Sequence, residues 1–69
     1  MDRQEILDTL RYLSKKYLME SDNDKLQYEI DHLTNASVKF FLAELSSKKI
    51  MPFSSDDLSK LQDIYFYGM

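Results

Sequence analysis

Apolar residues in this chain recur three or four positions apart, the spacing that stacks side chains on one side of a helix, and no sustained alternation with a period of two favours a strand between Asp24 and Ile50. The first such segment runs from Asp2 to Leu18 or Met19. Ile6, Leu10, Leu13 and Tyr17 form a narrow seam suited to packing on one other helix, widened by Leu7 and Leu18, while Tyr12 and Met19 point roughly the other way. Asp2 and Glu5 have the spacing of a capping box. The acids Asp2, Glu5 and Asp8 precede the bases Arg11, Lys15 and Lys16, an order that complements the helix dipole.

Glu20 to Asp24 reads E-S-D-N-D. Short polar side chains compete with the backbone for hydrogen bonds, so this stretch is expected to be the first connection, with Ser21, Asp22 or Asp24 capping the next helix and Asp24 with Gln27 giving another box-like spacing. From Asp24 to Ile50 the spacing predicts one long amphipathic helix, roughly 40 Å long at its regular rise, carrying Leu26, Ile30, Leu33, Phe40, Phe41 and Leu45. Its apolar face drifts, because Val38, Phe41, Leu42 and Leu45 lie about a quarter turn round from Leu26, Ile30 and Leu33. Each flanking helix would then cover one half of it, from adjacent sides.

The weak point of this long helix is Thr34-Asn35-Ala36-Ser37, where three small polar residues of poor helix propensity sit together. One reading runs the helix through, since no Gly or Pro interrupts it and the apolar spacing is kept on both sides. In the other, Thr34 or Asn35 caps a further helix and the count rises from three to four.

Basic residues Lys48 and Lys49 suit a helix C-terminus, and Pro52 disfavours helical backbone at Met51, so the long helix should stop near Ile50. A strong start signal follows: Ser54 as cap, Asp57 at the third helical position, and Phe53 placed to pack on Leu58 as a hydrophobic staple. In the last helix Leu58, Leu61 and Tyr65 form the expected inward stripe. Ile64, Phe66 and Tyr67 make the rest of the cylinder apolar, which points to cover by the long helix and by a second molecule.

Length narrows the picture to a single domain over residues 1–69, and a chain this short buries only about 60% of its unfolded surface, so it needs a staple. Cysteine is absent and His32 is the one histidine, which excludes disulfides and thiolate zinc sites and leaves self-association. Twelve acids against nine bases give a formal charge of −3, the wrong sign for gripping phosphates, so direct nucleic-acid binding is not expected. The mixed charges of MDRQEILDTL do not make a secretory signal, and no apolar run is long enough to cross a membrane, so the expected location is the cytoplasm.

Catalytic patterns are equally scarce. His32 falls roughly opposite the Leu26, Ile30 and Leu33 face and is expected at the surface. Asp22, Asp24 and Asp31 lack the calcium-loop spacing and its glycine, and the serines lack a G-x-S-x-G or S-x-x-K setting. A helix-turn-helix DNA reader would need a polar second helix, whereas this one is acidic at its start and aromatic at its end. No enzyme activity, cofactor or metal is therefore expected. Leu42-Ala43-Glu44-Leu45, with Lys49 and Pro52 after it, is similar to a short piece of the Hha/YmoA modulators, small helical proteins that act through a nucleoid protein. The likeness is confined to that stretch, and no function is carried over from it.

The sequence thus predicts an all-α bundle of three helices, short, long and short, or four if the long one breaks. Phe40, Leu42, Ile64, Tyr65, Phe66 and Tyr67 are the expected partner-binding residues, because aromatic side chains are enriched in protein interfaces. The expected function is a small non-catalytic regulatory or adaptor protein that binds another protein through helical faces and forms a homodimer. The alternative is a transcription-associated modulator acting on DNA-binding machinery.

Overall fold

Helix α1 (Arg3–Tyr17) begins as its spacing requires: Asp2 is extended and its carboxylate accepts the Glu5 N–H at 2.8 Å. Ile6, Leu10, Leu13 and Tyr17 are buried, with Leu7 and Leu18 beside them. The computed structural model describes residues 2–67, the side chains of Asn35 and Tyr67 excepted. Among these residues every regular element is helical, and no helix is long and apolar enough to cross a membrane.

The first connection is shorter and earlier than the polar cluster implies. Only Leu18 and Met19 separate α1 from α2 (Glu20–Ile30), and Met19 caps α2 with no side-chain hydrogen bond. The E-S-D-N-D stretch is helical, with its acids suited to the helix start and the Asn23 side chain engaged away from its own backbone. Glu20 and Asp22 lie at the positive end of the helix dipole. The Asn23 side-chain oxygen accepts the buried Ser14 hydroxyl at 2.9 Å and the Gln27 amide at 3.0 Å, and Gln27 also donates to the Arg11 carbonyl.

The long helix does not run through. Asp31 and His32 form a turn, Leu33 stays buried, and α3 (Asn35–Lys48) starts afresh, so the chain takes the four-helix arrangement. Thr34 makes a complete capping box: its hydroxyl accepts the Ser37 N–H at 3.3 Å, and the Ser37 hydroxyl accepts the Thr34 N–H at 2.8 Å. Helix α1 holds the turn from outside, with Arg3 donating to the Leu33 carbonyl at 2.5 Å and Arg11 paired with Asp31. Asp31 is right-handed helical and Thr34 extended, so neither needs glycine. Replacing Thr34 and Ser37 together by alanine should cost about 1 kcal/mol, a typical cap contribution, read as a lower urea midpoint by circular dichroism.

Because of the break, the organising element is α1, not a central helix flanked by two others: α1 packs on α2, α3 and α4, and α3 also packs on α4. The bundle measures 27 × 26 × 17 Å, shorter than a continuous helix from Asp24 to Ile50 would be. Its core joins the α1 seam to Leu26, Ile30, Leu33, Val38, Phe41, Leu42, Leu45, Leu61 and Ile64. Helix α3 ends before Pro52, close to the expected stop, and the Ile50 N–H donates to the Tyr17 carbonyl at 2.8 Å. That bond draws the two connections together at one end of the bundle.

Helix α4 (Ser55–Tyr67) starts at Ser54, whose hydroxyl accepts the Asp57 N–H at 3.2 Å. Its inward stripe is Asp57, Leu61 and Ile64, while Leu58 and Tyr65 are exposed, so the helix is turned by about one residue from the expected Leu58, Leu61 and Tyr65 face. Phe53 packs edge-on against the Tyr17 ring, with centroids 4.6 Å apart. The turn of α4 follows from what Asp57 meets.

Candidate functional site

Asp57 is a carboxylate on an otherwise apolar stripe, only 1% exposed, at the contact of α4 with α1. Its Oδ2 accepts the Tyr17 hydroxyl at 2.5 Å, the Lys16 ammonium at 2.8 Å and the Tyr12 hydroxyl at 3.3 Å, and the Lys60 Nζ lies 3.6 Å from Oδ1. The Tyr17 oxygen in turn accepts the Ser54 N–H at 3.0 Å, so one hydroxyl ties both the cap and the acid of α4 to α1. The Lys16 hydrogen bond, followed by that of Tyr17, holds the Asp57 carboxyl well below the usual carboxylate range, against the opposing push of burial. Lys16 is raised above the ordinary lysine range, chiefly by the same bond to Asp57 and then by Tyr12. A carboxylate so fully supplied with donors keeps its charge at neutral pH and anchors α4.

With α4 anchored in that orientation, its outer row turns to solvent and meets α3. Leu42, Phe53, Leu58, Leu61, Tyr65 and Phe66 line an open groove between the two helices, Lys49 stands at its rim, and no carboxylate lines it. The Lys39 ammonium sits 4.9 Å from the Tyr65 ring centroid, and that of Lys49 5.5 Å from the Phe53 ring. A second groove, on the α2 side of α3, is lined by Tyr28, His32, Phe40 and Phe41 together with Glu29 and Glu44. There His32 is exposed with its ring against Tyr28, centroids 5.6 Å apart, and Glu44 accepts Lys48 at 3.0 Å. Lys48 is raised above its ordinary value mainly by that bond.

The six residues singled out from the sequence divide between these surroundings. Phe40 (77% exposed) edges the α2–α3 groove, and Tyr65 and Phe66 (73%) edge the α3–α4 groove, their rings perpendicular and 5.4 Å apart. Leu42 is buried as part of the α3–α4 groove floor, and Ile64 is buried by its own chain without a second molecule. The Tyr67 side chain lies outside the described residues. Sequence reasoning missed Phe53, Leu58 and Tyr28 as groove residues and Asp57 as the anchor. A signal for Asp57 was present, since Leu61 and Ile64 stand four and seven positions after it on the same helix face.

Among the described residues no three His, Asp or Glu side chains gather where they could hold a metal ion. No protein-family model, curated protein or solved structure matches the chain, so the likeness at Leu42–Pro52 stays a local one.

Proposed function

We propose that this is a small non-catalytic adaptor or regulatory protein of the cytoplasm, which binds another protein through the α3–α4 surface and pairs with a second copy through the α2–α3 surface. The observation that carries this reading is the placement of Tyr28, Phe40, Tyr65 and Phe66, large aromatic side chains at least half exposed, beside two open grooves on opposite sides of one helix. Aromatic residues of this kind supply most of the energy at protein interfaces, and contiguous apolar surface on a small protein marks a contact site. The α2–α3 groove suits a second copy because Tyr28, Phe40 and Phe41 give it an apolar lining, and Lys48 beside it pairs with Glu44, leaving Glu29, among the described residues, as the one lining carboxylate without an ion pair.

Sedimentation of the purified chain over a range of concentrations tests the pairing. Phe40→Ser should weaken self-association by about tenfold or more while the helix content and urea midpoint stay near those of the parent, because an exposed side chain contributes within about 0.5 kcal/mol to folding. A parent chain that stays monomeric at high concentration would remove the second copy from this reading.

A further inference from the structure

We propose that the α3–α4 groove is the seat of an acidic amphipathic helix of a partner protein, an inference that rests on the protein-binding reading above and names the chemistry of the partner. The groove has the length and lining of a helix seat. Leu58 and Tyr65 are seven residues apart on α4, roughly 10 Å along its axis, which matches two turns of a docked helix. Between them Leu42 and Leu61 form an apolar floor, with Phe53 and Phe66 as end walls. A helix laid in such a trough inserts apolar side chains spaced three and four apart.

Charge decides which helix. Lys49 marks the end near Phe53, and Lys39, against Tyr65, marks the other. The two are ten positions apart in α3 and its cap, about 15 Å along the axis. Among the described residues neither is ion-paired, whereas Lys16 and Lys60 pair with Asp57 and Lys48 pairs with Glu44. In a chain of net charge −3, an apolar trough with an uncompensated ammonium at each end calls for carboxylates at both ends of the occupant. A second copy meets this requirement badly. Two such grooves face to face would bring four ammonium groups together with no lining carboxylate between them. Two lysines are also too few to hold a nucleic-acid backbone, whose binding rests on neutralising many phosphates. Among the described residues the α2–α3 groove has no lysine or arginine in its lining and carries the unpaired Glu29, so it offers the same acidic helix no counter-charge.

The test uses the whole chain, labelled with ¹⁵N, and two synthetic helical peptides. Both carry leucines at positions four and eight; one has Glu, the other Lys, at positions one and eleven, so that all four side chains share a face. The Glu-ended peptide should shift the amide signals of Phe53, Leu58, Leu61 and Tyr65 and leave Tyr28 and His32 unmoved. It should bind about tenfold more tightly than the Lys-ended one at low salt, since each exposed charge pair changes binding by a few-fold. The Lys39→Glu, Lys49→Glu double variant, checked for unchanged helix content, should reverse that order.

Equal or stronger binding of the Lys-ended peptide in this groove would overturn the acidic partner and leave the helix-docking surface standing. Shifts confined to the α2–α3 groove, binding to anionic vesicles in place of either peptide, or no groove shift at all would overturn the seat itself. The self-association of the parent and of Phe40→Ser is read separately and is not touched by those results.

Discussion

Asp57→Ala should lower the folding free energy by about 3 kcal/mol, about a third or more of the margin of a chain this size. The Lys16 head is partly exposed and can turn to water. The Tyr17 hydroxyl cannot: the side chain is 1% exposed, and without the carboxylate it loses its acceptor at 2.5 Å and keeps only the Ser54 hydroxyl oxygen at 3.5 Å. A buried donor left without its partner costs about 1–3 kcal/mol, and the lost charge-assisted bonds add to that. Sixty-nine residues at about 0.05–0.15 kcal/mol each give a total of roughly 3–10 kcal/mol, so the variant should lose at least about a third of its stability and melt well below the parent. Urea and thermal unfolding followed by circular dichroism measure it; a midpoint unchanged from the parent would show that the contact carries no net energy.

The same residue sets an acid limb. Its carboxyl in the folded chain is held below the ordinary value of 3.8, so the stability it contributes is complete above about pH 4 and drains away as pH falls toward the folded value. Asp57→Asn keeps a hydrogen-bonding group in place but removes the titration. It should be less stable than the parent at pH 7 and lose less than the parent between pH 4 and pH 2.

Leu10→Ala should cost about 2–5 kcal/mol, the range for removing a fully buried leucine and leaving a cavity. Leu10 sits mid-helix on α1, the element packed against all three others, so no single neighbour can collapse into the space. Chemical denaturation should give a lower midpoint with little change in slope. A loss well below 1 kcal/mol would mean that the helices close around the void, and that α1 is less central to the packing than its contacts indicate.

How far the sequence reveals this fold depends on whether a signal is local. The cap at Asp2, the α1 seam, the stop before Pro52 and the Ser54 cap all rest on residues within a turn or two of each other, and all are present. At Thr34 both a through-running helix and a break satisfy the apolar spacing. The break prevails through the Ser37 reciprocal cap and through Arg3 and Arg11, which reach the turn from another helix. Glu20 to Asp24 misleads in part because Asn23, a turn-forming residue, bonds Ser14 and Gln27 instead of capping a turn.

In α4 the period is legible but the phase is not. Leu58, Leu61 and Tyr65 make as good a stripe as Asp57, Leu61 and Ile64 until Tyr17, forty positions away, is known to need an acceptor. An apolar tally counts Asp57 against the face it holds in place. The exposed aromatic residues follow from the same phase. Phe66 was legible as hard to bury, whereas Ile64 became core once the helix turned, and the groove could not be foreseen while α3 and α4 were placed by period alone.

The bond between Tyr17 and Asp57 also orders the birth of the molecule. At about 5–20 residues per second on the ribosome, the forty positions that separate them take roughly 2–8 s to be synthesised. Throughout that interval the nascent chain presents the apolar seam of α1 with a hydroxyl whose acceptor does not yet exist. The first three helices can gather, but the face of α1 that α4 covers stays open until Asp57 and the residues after it have been made.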